Sequence, residues 1–210
     1  MAKKVVEALK TDPKSEERIK EAARIVFHKK GFAATRTRDI AEEAGINLAL
    51  LNYYFRSKQK LFNLIMMEAL KTFFSSIKLA VNDTTLSFEE KLAKISSNYI
   101  DSLLENPELP LFILSEIRND PDHLIQNVGF KDTLLGSDLL RQLMEKVKTG
   151  EFKPIHPLNF ILNFIGMTVF PFIASPMLRI IGNLDQEAFH QLIAERKSLI
   201  PIWTIALLRK

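Results

Sequence analysis

Between Gly45 and Arg56 the chain sets Asn47, Leu48, Ala49, Asn52 and Tyr53 among apolar residues at helical spacing, so that amide and phenol groups share the outer side of a short helix. A carboxamide pairs bidentately with the N6/N7 edge of adenine, which gives Asn52 the chemistry to read a base in a major groove. Leu48 and Ala49 have no side-chain donor, and any reading there uses thymine methyls or groove shape. Ile46, Leu51 and Phe55 fall on the opposite side, facing Val26, Phe27 and Phe32 of an earlier segment. Two short helices, about 37–44 and 48–55, meet at Gly45, where Ala44 is small enough for close approach. This is the order of parts in a helix-turn-helix, whose second helix enters the major groove of duplex DNA. A helical hairpin inside an enzyme has the same periodicity, and spacing leaves both readings open.

Other chemistries find fewer supporting residues. The sequence has no cysteine, which removes disulfides, thiolate zinc sites and thiol catalysis and fits a reducing, cytoplasmic compartment. His28, His123, His156 and His190 are scattered without ligand spacing, so no metal or other cofactor is expected. No Gly-rich phosphate loop, nucleophile elbow or paired-carboxylate arrangement occurs, which makes a helical enzyme the weaker alternative. The phenylalanines and methionines suit an apolar pocket between helices, with Phe112 and Phe164 as wall candidates. Asn98, Tyr99, Asn163 and Thr168 are the polar groups expected to orient a small apolar or amphipathic molecule there.

Helices are the elements that must position these residues, since alternating runs with hairpin turns are missing. The expected fold class is all-α. Ile19, Ala22, Ala23, Val26 and Phe27 form one buried stripe, and Lys29-Lys30-Gly31 supplies cations and a glycine to end that helix. Ser57 caps a long helix to about Val81; further starts lie at Ser87 with Glu90, at Asn106-Pro107, Asp120-Pro121, His156-Pro157 and Asp185. Gly150 and Gly182 mark stops. The first dozen residues read as a loose tail, and no apolar stretch of signal-peptide length follows Met1-Ala2-Lys3-Lys4. Charge is uneven: residues 1–60 hold 14 Lys/Arg against 8 Asp/Glu, while the remainder holds 15 against 17. Such an asymmetry suits a front segment that meets a polyanion.

The run GFAATRTRDIAEEAGINLALLNYYFRSKQKL, residues 31–61, resembles the signature of the TetR family of transcription regulators: a glycine-aromatic pair, hydroxyl residues before Ile-Ala, Ala-Gly, an aromatic cluster, then Ser-Lys and Leu. The resemblance implies an amino-terminal helix-turn-helix domain, residues 12–57, and a larger ligand-binding and dimerisation domain, residues 58–210. It makes 47–54 the recognition helix and its flank, with Tyr54 and Lys58 as phosphate anchors and Thr37 and Arg38 as contacts to backbone or base. A phenol, a threonine hydroxyl, a lysine and the first amides of the helix after Ser57 are all donors suited to phosphate oxygens. Two positions depart from the pattern: Asn52 stands where most members place an aromatic, and Arg36 where a hydroxyl precedes the isoleucine. The partners implied are double-stranded operator DNA, a small-molecule effector and a second copy of the chain, with the regulator acting as a repressor.

The segment 157–178 carries no charge over 22 residues, long enough to cross a bilayer. Asn159, Asn163, Thr168, Pro171 and Pro176 interrupt it, and burial between subunits explains its composition more simply than a membrane. A twofold homodimer is therefore expected to pair two helices, about 157–181 and 185–208, with their copies.

Overall fold

The computed structural model describes residues 13–128 and 135–210 of the 210-residue chain. The expected loose tail lies outside the described residues. Eleven helices are described and no strand: α1 (Pro13–Ala34), α2 (Thr37–Glu43), α3 (Leu48–Tyr54), α4 (Lys58–Val81), α5 (Phe88–Glu105), α6 (Leu109–Asn119), α7 (Pro121–Val128), α8 (Asp138–Lys148), α9 (Pro157–Ile173), α10 (Ser175–Ile181) and α11 (Gln186–Leu208). The chain divides into two compact units, residues 1–69 and 70–210. The division falls inside α4 rather than at the expected boundary after residue 57, because the first turns of that helix supply core to the first unit.

In that unit the α1 stripe is buried as its spacing requires, and Ile40, Ala41, Ala44, Leu51, Phe55, Leu61 and Phe62 are buried too. Phe27 meets Phe62 edge to face at 5.2 Å, and Phe32 lies 4.5 Å from the same ring. Glu68 of α4 holds α1 through Lys20, 3.0 Å away, and Arg24, 2.6 Å away. The helical run of α1 is interrupted at Gly31, whose φ of 72° is one that side chains disfavour.

The second unit is built around α5 and α11, which pack along each other, with α9 against both and α8 against α5. Its caps follow local chemistry: Ser87 and Glu90 form a capping box, His156 Nδ1 accepts the Leu158 N–H at 3.2 Å, and Asp185 accepts that of Ala188 at 2.8 Å. One start and one span differ from expectation. Asn106-Pro107 closes α5 instead of opening α6: the Asn106 N–H bonds back to Ser102, and α6 begins at Leu109 with Pro110 in its first turn. The segment 157–181 is two helices bent by 73° at Ala174, where Pro176, in the first turn of α10, cannot donate to the preceding turn. Pro171 leaves the Met167 carbonyl without its helical donor, and Arg196 of α11 supplies one at 2.7 Å. No single described helix is long and apolar enough to cross a membrane; α9 and α10 reach that length only as this bent pair.

Candidate nucleic-acid interface and ligand cavity

The helix-turn-helix is assembled by short-range bonds. Gly45 takes φ 61° in the turn, and an added side chain would meet nothing within 4 Å, so its requirement comes from backbone conformation and not from space. Ile46 N–H returns to Ala41 O at 3.0 Å, closing the turn. At the start of α2, Arg36 occupies the cap with no side-chain cap bond, and the Asp39 carboxylate reaches back to the Arg36 N–H at 2.9 Å. That bond, followed by Lys30 at 3.2 Å, holds the Asp39 carboxyl below the usual carboxylate range. This tether is complete above the ordinary carboxylate range and is lost as pH falls through the depressed value.

Asn47 caps α3, its Oδ1 accepting the Leu50 N–H at 2.8 Å, which leaves its NH2 group as the donor it can offer elsewhere. Leu51 and Phe55 are buried, whereas Ala49, Asn52 and Tyr53 are exposed; Leu48 and Tyr54 are half-buried. The Tyr53 and Tyr54 rings meet edge to face at 5.6 Å. Thr37 is half-buried at the first position of α2, and Arg38 beside it is exposed. Ser57 caps α4 through its Oγ, 3.2 Å from the Lys60 N–H.

Lys58 is engaged within its own unit. Its ammonium donates to Phe32 O at 2.7 Å and Thr35 O at 2.8 Å and lies 4.3 Å from the centre of the Phe32 ring. It thus ties the start of α4 to the connection between α1 and α2, a bond invisible in a motif that pictures the lysine only as a phosphate ligand. Lys58→Met leaves two carbonyls short of a donor and is expected to cost about 1–3 kcal/mol of local stability. Hydrogen exchange of α2 and α3 amides in the full chain should quicken while the salt slope of DNA binding stays constant; a slope reduced by about 1 with unchanged exchange would make the lysine a phosphate contact instead. Arg56, between α3 and α4, is not singled out by the sequence pattern; it is exposed, pairs with no acid among the described residues, and only the charge excess of the front segment hints at it.

The second unit holds a cavity of about 350 Å³. Tyr99 and Phe164 line it, together with Phe73, Leu92, Ile95 and Phe160 among others. The remaining expected ligand residues lie elsewhere. Phe112 is buried outside the lining, Asn98 is half-buried outside it, and Asn163 is exposed. Thr168 is buried, but its hydroxyl donates to Phe164 O at 2.8 Å, as a helical threonine does when it bonds back one turn. Helical spacing places a residue around an axis but not toward a void, which is why four of six candidates miss the wall. Burial pushes the Tyr99 phenol up, keeping it protonated at neutral pH.

Residues 19–65 match the family model described as bacterial regulatory proteins, tetR family. The chain is 26% identical over 162 residues to the Probable HTH-type transcriptional regulator YttP of Bacillus subtilis, covering 76% of this chain and 77% of that one. It is 28% identical over 160 residues to the HTH-type transcriptional regulator YfiR of the same organism, covering 72% and 74%. Among solved structures, the ketosteroid transcriptional regulator KstR2 of Mycobacterium tuberculosis superposes with a TM-score of 0.62 at 19% identity, over 95% of this chain and 97% of that one. The TetR family regulator PfmR of Thermus thermophilus gives 0.58 at 22%, over 88% and 97%. These two share the fold. With its helix-turn-helix in the matched segment and transcriptional regulators as the relatives it resembles, the chain carries a TetR-type DNA-binding domain at its amino-terminal end.

Proposed function

We propose that this regulator is a cytoplasmic homodimeric repressor that grips operator DNA through α3 and its flanks and is released when a small apolar or amphipathic molecule enters the cavity of the second unit. The observation that carries the DNA half is the outward face of α3, where Asn52 and Tyr53 stand exposed on a helix fixed by the buried Leu51 and Phe55. Asn47 and Ala49 extend that face, Leu48 stands at its edge, and Tyr54, Thr37, Arg38 and the first amides of α4 supply phosphate donors. The cavity supports the effector half, since apolar clefts of this size between helices are where small molecules bind. Release requires that the effector prefer the DNA-incompetent state, for a ligand with equal affinity for both shifts nothing.

Selection of bound duplexes from a random library tests the operator reading. Twofold-symmetric half-sites about one helical turn apart, or a multiple of that, are expected; enrichment of asymmetric sequences, or of none, would count against a dimeric reader. On the selected duplex Asn52→Ala should cost about 1–3 kcal/mol, with little change on random DNA. Equal losses on both, measured by fluorescence anisotropy at one salt concentration, would remove Asn52 from the readers.

A further inference from the structure

The cavity walls are more restrictive than its volume. Helices α4 to α9 all contribute, and of the described lining residues Tyr99 alone has a polar side chain; none carries a charge. The Tyr99 ring is fixed edge to face against Phe73, centroids 4.5 Å apart, and its hydroxyl makes no hydrogen bond with a described protein group. Leu114, Ile117 and Ile125, on α6 and α7, line the cavity and are also exposed, which sets its mouth between those helices.

We infer that the cavity selects an uncharged, largely apolar molecule with a single hydrogen-bonding group, which the Tyr99 hydroxyl engages. This rests on the reading of the cavity as the effector site. An ionised carboxylate would leave water for walls whose described residues offer one hydroxyl and no cation, and a buried charge without a partner is far more costly than a buried hydroxyl with one. A neutral head group needs only a single partner, and the phenol can donate or accept. The hydrocarbon remainder gains by leaving water for phenylalanine, leucine and isoleucine walls.

The test displaces the hydrocarbon dye 1,6-diphenyl-1,3,5-hexatriene, which has no hydrogen-bonding group, from the full chain with 1-decanol or decanoate at pH 7.5, in wild type, Tyr99→Phe and the cavity-filling Ile165→Phe, folding being checked by circular dichroism. Decanol is expected to bind at least about tenfold more tightly than decanoate. Tyr99→Phe should weaken decanol about 2- to 10-fold and leave dye affinity unchanged. Ile165→Phe should weaken dye and decanol together. Decanoate binding as tightly as decanol, or decanol indifferent to Tyr99→Phe, overturns the selectivity inferred and leaves the cavity as a binding site. Failure of dye and decanol to bind, or binding unaffected by Ile165→Phe, overturns the effector-site reading and this inference with it.

Discussion

Replacing Lys91 with methionine should lower unfolding stability by about 3 kcal/mol, the lower end of the cost of leaving one member of a buried ion pair alone. Lys91 lies on α5 with its side chain wholly buried, its ammonium 2.8 Å from Asp138 Oδ2 and 2.6 Å from the Leu86 carbonyl that accepts from it. Asp138, at the first position of α8, also binds the exposed Arg141, so the carboxylate keeps one partner when lysine is lost. The pair fastens α8 to α5, and Gln142, one turn further along α8, donates to the same Leu86 carbonyl at 3.1 Å. Lys91 first, and Arg141 second, holds the Asp138 carboxyl below the usual range. A depressed carboxylate contributes stability that is present above its unfolded value and lost as pH falls through its folded one. Wild type should therefore lose stability on acidification through that window, and Lys91→Met should lose less. Urea unfolding at neutral and acidic pH measures both. Adding Asp138→Asn should recover part of the loss, because a pair removed whole costs less than a pair broken. A single variant within 1 kcal/mol of wild type would show the pair to be dispensable.

Lys91 also shows where the sequence stops being informative. Ser87-Phe88-Glu89-Glu90 announces a helix start because cap and N3 residue are three apart on the chain. The fate of the next residue depends on Asp138, 47 positions away, and no local pattern foretells a buried lysine. The same division runs through the functional sites. Gly45, Leu51 and Phe55 are legible because turn conformation and helical period are local constraints. Lys58 is half legible: its position after the Ser57 cap is local, but its bonds to Phe32 and Thr35 cross a gap of more than twenty residues. In the second unit, composition pointed to apolar walls, yet only Tyr99 and Phe164 of the expected set line the cavity. The bend at Ala174 was written in Pro171 and Pro176, but the absence of charge across 157–178 masked it. A uniform hydropathy carries no period from which to read a break.

A Leu162→Glu, Ile202→Glu double variant should dissociate the proposed dimer and abolish specific operator binding. Phe164 is unsuitable for this purpose, being buried against its own cavity. Outward residues are the informative ones: Leu162 and Phe170 of α9 are 64% and 57% exposed in the single chain, and Ile202 of α11 is 59% exposed. Trp203 beside it is partly exposed and lies 5.0 Å from the Arg196 guanidinium, whose ionised form burial disfavours. Exposed apolar residues on two long helices that pack on each other suit an isologous four-helix seam. α10 exposes Ile180 and Ile181 as well, but its seven residues make under two turns, too short to form the seam. A twofold operation would bring every introduced glutamate into the seam twice, and each desolvated charge costs several kcal/mol. The protomer itself should stay folded, because both positions face solvent in it; circular dichroism and the thermal midpoint check this. Leu79→Glu, at a 74% exposed site on α4, serves as the control expected to remain dimeric. Sedimentation should shift the double variant to monomer at micromolar concentration. Its affinity for the selected duplex should fall to that for random DNA, since one recognition helix reaches a single half-site. Wild type sedimenting as a monomer, or a double variant that remains dimeric with unchanged operator affinity, would place the subunit contact elsewhere or remove it altogether.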